Sequence, residues 1–75
     1  MGKWISDNVK IDFVLPKDIE WLCKECERLE AEHNEAYFNY ADHISVLAKE
    51  AVVQGHLTKK QWETLERKYV YGEYN

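Results

Sequence analysis

Cys23-Lys24-Glu25-Cys26 is a C-x-x-C, the spacing at which two thiols can cycle with a disulfide or share a metal ion. A redox pair works when a helix N-terminus lowers the pKa of its first thiol. Here the pair begins about two turns into a predicted helix, where that help has faded. The alternation of strands and helices that usually carries such a motif is also missing. As zinc ligands the thiols would draw on His33, His43 or His56, but the spacing C-x2-C-x6-H-x9-H matches no finger pattern. Packed as small hydrophobes, Cys26 suits a core position and Cys23 a half-buried place beside it. A small zinc- or redox-active protein using Cys23 and Cys26 is therefore an alternative, and no cofactor or metal is expected.

Other catalytic constellations are weaker still. His33 and His43 have no serine or cysteine placed to suggest a nucleophile for them to activate. Gly2, Gly55 and Gly72 are isolated, so there is no phosphate loop. The glutamates are many, but hydrolysis by paired carboxylates needs a cleft that three short helices hardly form. The chain is read as a non-enzyme.

Charge is the more informative property. The formal net charge is −4, and residues 1–54 hold eleven acids against six bases while the remainder holds three against four. Glu25, Glu27, Glu30, Glu32 and Glu35 fall in one stretch with Arg28 as its one lysine or arginine. On a helix they form a fence that is either a solvated face or a docking surface for a basic groove. Nucleic acid is an unfavourable partner for such a body, because phosphates need a basic footprint. A helix-turn-helix-like regulator remains as an alternative, with Lys59, Lys60, Glu63, Glu66 and Arg67 of the third helix towards DNA. Two acids among those five, and the polar Gln61 and Thr64 at positions that should be apolar, count against it.

These residues are positioned by a helical framework. From Pro16 to Gln54 there is no internal proline or glycine, and Ile19, Leu22, Cys26, Leu29, Tyr37, Ile44, Leu47 and Ala51 recur at helical spacing. The expected architecture is mainly α: an extended lead-in over 1–15, helix 1 over 16–33, helix 2 over 39–54 and helix 3 over 58–70. The whole is one small domain. In the lead-in Val9, Ile11 and Phe13 alternate with Lys10 and Asp12, which predicts a short N-terminal strand, or a hairpin through Ser6-Asp7-Asn8 with Lys3-Trp4-Ile5. Pro16 starts helix 1. The polar His33-Asn34-Glu35 breaks the long run, with Asn39 or Asp42 as caps for helix 2; one unbroken rod to Gln54 is the competing possibility and would imply a dimer. Gly55 closes helix 2 and makes a helical hairpin with helix 3. Thr58-Lys59-Lys60-Gln61 has the form of a capping box, flanked by a Leu57–Trp62 staple. The aromatic tail after Tyr69 is expected over the core.

The expected core is Ile11, Phe13, Ile19, Leu22, Cys26, Leu29, Tyr40, Ile44, Leu47, Ala51, Leu57, Trp62, Leu65 and Tyr69. Trp4, Trp21, Tyr37, Phe38 and Tyr71 are then too many to bury in so small a body and are expected at an interface. The combined expectation is a non-catalytic, acidic protein-protein interaction module, binding another protein or a second copy of itself as a homodimer. In size and charge alone the chain resembles the small acidic proteins of phages and mobile elements, including anti-CRISPR inhibitors. That resemblance implies an inhibitor or regulator of a basic, nucleic-acid-handling partner. No apolar run reaches the roughly 20 residues of a membrane span, and no secretory apolar region follows Met1, so a cytoplasmic location is expected. Met1-Gly2-Lys3-Trp4-Ile5-Ser6 also fits a permissive myristoylation pattern at Gly2.

Overall fold

The computed structural model describes residues 4–71. Gly2, Lys3 and the tail segment 72–75 lie outside them. The order is an irregular N-terminal arm, helix α1 (Lys17–Ala31), helix α2 (Tyr37–Gln54), helix α3 (Lys59–Leu65) and a π-helical turn (Glu66–Tyr71). Helix α2 is central and packs against both α1 and α3. No described helix is long and apolar enough to cross a membrane.

Each helix ends for a local reason. Pro16 is the N-cap of α1 rather than its first residue, and its carbonyl accepts from the Glu20 amide at 2.8 Å. At the other end His33 adopts a left-handed φ of 53°. Its amide donates to Glu30 O at 3.0 Å, and that of Asn34 to Leu29 O at 2.9 Å, the paired bonds of a Schellman stop. Gly55 ends α2 in the same way with φ 85°, its amide bonding Val52 O while His56 bonds Ala51 O. The long helical run is therefore two helices, and neither Asn39 nor Asp42 caps the second. Asn34 Oδ1 accepts from the Ala36 amide at 2.9 Å, and Ala36 is the N-cap. The expected capping box is present in α3: Thr58 N donates to Gln61 Oε1 and Gln61 N to Thr58 Oγ1, at 2.9 and 3.1 Å. The third helix does not run on in α form to residue 70, because its winding widens into the π turn at Glu66.

No strand forms among the described residues. Burial in the arm does alternate, with Val9, Ile11, Phe13 and Leu15 half-buried and Lys10, Asp12 and Val14 exposed, and Ser6 to Val9 closes a turn at 3.4 Å. The alternation marks an extended segment laid on the helices. Its backbone finds side chains and the π turn instead of a second strand. Trp4 N and Ile5 N both donate to Glu30 Oε2 at 2.7 Å, while Lys68 Nζ donates to Ser6 O and Val9 O at 2.9 and 2.8 Å. Ser6 N adds a bond to Lys68 O.

The core is centred on Tyr37, Ile19, Ile44, Leu65 and Cys26, all essentially without solvent contact. The face that α2 turns inward is Tyr37, Ala41, Ile44, Ala48 and Ala51. Its alanines let the neighbouring helices come close, and they leave Tyr40 and Leu47 at the margin, half-buried, where the sequence pattern had placed them inside. Ile5, Cys23, Tyr37, Ala41 and Ala48 join the core instead. Tyr37 Oη donates to Tyr69 O at 2.7 Å, which satisfies a phenol that would otherwise be buried unpaired. Trp62 packs against this core with its Nε1 buried and without an acceptor among the described residues.

The two helix stops make opposite predictions. A Cβ at Gly55 would meet nothing within 4 Å, so Gly55→Ala costs backbone strain alone and should lower the unfolding free energy by about 1 kcal/mol. His33→Gly should exceed His33→Ala by about the same amount, since both variants lack the imidazole and only one relieves the left-handed strain. Urea titrations followed by far-UV circular dichroism measure both differences.

Candidate functional site

Only Glu25, Glu27 and Glu30 of the acidic stretch lie on α1; Glu32 is its C-cap and Glu35 sits in the turn before α2, and the five carboxylates do different things. Glu25 and Glu32 both pair with Arg28, at 2.6 and 3.1 Å, and these bonds raise the guanidinium pKa, Glu25 more than Glu32. Glu30 is half-buried and holds the N-terminal arm. Glu27 lies 3.5 Å from the Tyr69 hydroxyl. Glu35 is exposed and has no ion pair among the described residues. A uniform fence of five free carboxylates is thus not what the helix presents, because three of them already have close charged or backbone partners.

The aromatic candidates separate just as clearly. Tyr37 is 0% exposed and belongs to the core, which removes it from any surface. Trp4 and Phe38 pack over it, with ring centroids 5.1 Å from Trp4 to Tyr37, 4.9 Å from Trp4 to Phe38 and 5.4 Å from Tyr37 to Phe38. The arm delivers Trp4 to this cluster, a contact that no periodicity in the chain foreshadows. Trp21 and Tyr71 remain exposed, at 55% and 52%.

Trp21 stands on a groove. Between α1 and α2 a cavity of about 610 Å³ is lined by Asp18, Trp21, Leu22, Tyr40, His43 and Leu47, with Asn39 at its edge. The Trp21 and Tyr40 rings, both lining it, pack against each other with centroids 6.2 Å apart. The groove continues past Leu47 and Asp18 towards Glu50, Gln54 and His56. It exists because α2 buries alanines between the helices and leaves its larger side chains along the margin. Periodicity did not reveal it, since Tyr40 and Leu47 fit a core stripe equally well.

The thiols are both free and buried. Burial pushes Cys23 from an ordinary 9.0 to about 11 and Cys26 to about 12, with nearby carboxylates adding to the rise. Tyr69, buried against Cys23, is raised as well. Such thiols are protonated at neutral pH, whereas it is the thiolate that attacks or ligates. Among the described residues no three His, Cys, Asp or Glu side chains converge as a metal site requires. Lys60 and Glu63 of α3 and Glu66 and Arg67 of the π turn border a hollow, and Glu66 already accepts from Ser45 Oγ at 2.7 Å.

Two expectations follow from these contacts. Glu30→Ala strands two amide donors of the arm and should cost about 2 kcal/mol of stability by chemical denaturation, more than Glu35→Ala, which should change almost nothing. For the thiols, the unfolded chain releases protons near pH 9 and the folded chain only towards 11–12, so the stability they contribute is complete below pH 9 and is lost as pH rises through that window. The melting temperature should accordingly be flat from neutral pH to about 9 and fall above it. Iodoacetamide at about pH 8 should label neither thiol until denaturant is added. No protein-family model, no curated protein and no solved structure matches this chain, so the reading of the groove rests on its own geometry.

Proposed function

We propose that this chain is a non-catalytic protein-binding module that takes a basic, amphipathic segment of a partner into the groove between α1 and α2. The observation that carries the reading is Trp21. A large aromatic, more than half exposed, stands at an apolar groove beside Tyr40. Trp4, packed on Tyr37 and Phe38, is half-buried, whereas Trp21 packs on the Tyr40 ring and leaves more than half of its surface for a partner to cover, where burial supplies binding energy.

The charge of the groove selects the partner. Asp18 and Glu50 line it together with His43 and His56, and among the described residues no lysine or arginine does. An apolar anchor flanked by Lys or Arg fits that pattern: the anchor enters beside Leu22 and Leu47 while the bases meet the carboxylates. The net charge of −4 steers the encounter in the same sense. Proteins that handle nucleic acid carry basic segments of this kind, so the biological role proposed is that of an inhibitor or regulator of such a protein. Two free, buried thiols accord with a reducing, cytoplasmic setting.

The test is a titration of ¹⁵N-labelled protein with a helical Leu/Lys peptide, alongside the matching Leu/Glu peptide. The Leu/Lys peptide should shift the Trp21 indole resonance and the Tyr40 and Leu47 amides. Trp21→Ala should weaken it about tenfold or more with the circular dichroism unchanged. Equal binding of the Leu/Glu peptide, or shifts confined to residues away from the groove, would show that this surface does not select basic segments.

A further inference from the structure

Helix α2 has a second apolar feature on the side turned to solvent. Val46 and Val53 are 57% and 81% exposed, and with Lys49, Glu50 and Gln54 they line a hollow of about 560 Å³. The valines are seven positions apart, so they lie about two turns apart on one stripe, about 10.5 Å along the axis. Consecutive helical residues are about 100° apart, which puts Lys49 on one side of this stripe and Glu50 on the other. Neither side chain makes an ion pair within the described residues. Valine is a poorer helix former than the residues that usually cover an exposed helix face, so local propensity does not account for the pair.

The arrangement is self-complementary in one orientation. A two-fold axis parallel to α2 sets Val46 against Val46 and Val53 against Val53 of a second copy. The same axis brings the Lys49 side of each protomer against the Glu50 side of the other, so the charge pair forms twice. An antiparallel pairing, with the two-fold across the helices, does the opposite and places lysine beside lysine and glutamate beside glutamate. We propose that the Val46–Val53 stripe of α2 is a self-association surface, on which a second copy of this chain seats in parallel with Lys49 and Glu50 paired across the two-fold.

One helix face is smaller than the roughly 800 Å² per partner of a standard interface, so the dimer is a weak one, with a dissociation constant on the order of 0.1 mM. Sedimentation equilibrium of the full chain, without any peptide, from about 10 μM to about 1 mM covers that range. The expected result is a reversible monomer–dimer equilibrium that loosens as salt is raised. Lys49→Glu and Glu50→Lys should each weaken it about tenfold, and the double variant Lys49→Glu/Glu50→Lys should restore it, because the swap rebuilds the same pairs. Val53→Asp should abolish it with an unchanged melting curve, as expected for an exposed side chain. A strictly monomeric wild type at about 1 mM overturns the proposal. So does a dimer that tightens with salt, or a double variant no better than the single ones. Trp21→Ala should dimerise like the wild type; loss of the dimer in that variant would place the contact in the groove instead.

Discussion

Two opposite charges hold the N-terminal arm, and the rest of the fold depends on them. Glu30 of α1 takes the amides of Trp4 and Ile5, and Lys68 of the π turn takes the carbonyls of Ser6 and Val9. A carboxylate can only accept and an ammonium can only donate, so the two ends of the segment are fixed in direction as well as place. The arm in turn supplies Ile5 to the core and Trp4, which packs on Tyr37 at the start of α2. In a body of this size one uncovered aromatic at the end of the bundle is a large fraction of the core. The charged clamp therefore performs what a fourth helix does in a larger bundle.

The same clamp explains which parts of the fold were legible in the sequence. Helix stops and starts were legible as local chemistry: Gly55, the Thr58–Gln61 box and the polar His33-Asn34-Glu35 break each act within a few residues, although α1 stops at Ala31 rather than 33 and α2 starts at Tyr37 rather than 39. The extended arm was half legible. Its two-residue alternation is real, but alternation shows that one face is covered and not what the backbone bonds to, so a strand was expected where side chains from residues 30 and 68 do that work. Tyr37 was misplaced for a related reason. Its partners Trp4 and Tyr69 are more than thirty residues away on either side, and nothing at 3.6-residue spacing distinguishes it from Tyr40. The groove was invisible for the converse reason: Ala41 and Ala48, which carry little hydrophobic weight in a pattern, define the inward face and push Tyr40 and Leu47 outward.

The burial of Cys23 and Cys26 follows from the helix as a whole. A thiol in α1 at the second turn looks inward with Ile19, Leu22 and Leu29, and the neighbouring acids make its ionisation harder still. The spacing that would carry redox chemistry at a helix N-terminus is, about two turns further on, a way of filling core volume. The acidic run is likewise shaped by its context. Arg28 sits between Glu25 and Glu32, and the arm takes Glu30, so the net charge of the chain is borne by its remaining surface carboxylates, including those at the groove.

Glu50 lies at the meeting point of the two surfaces. It borders the lower end of the α1–α2 groove beside Leu47 and Asp18, and it also borders the exposed valine stripe beside Lys49. On the two proposals above, a basic segment seated in the groove would compete for the carboxylate that a second copy of the chain would use across the two-fold. Binding free energies are linked, so if the partner loosens the dimer, the dimer weakens the partner by the same factor. With a weak dimer the apparent effect on partner affinity is small at low protein concentration and grows towards that factor as the chain accumulates, because only then is the stripe occupied. On these two proposals the monomer is the form that captures a basic segment best, and self-association tempers that capture when the protein is abundant and its partner is not.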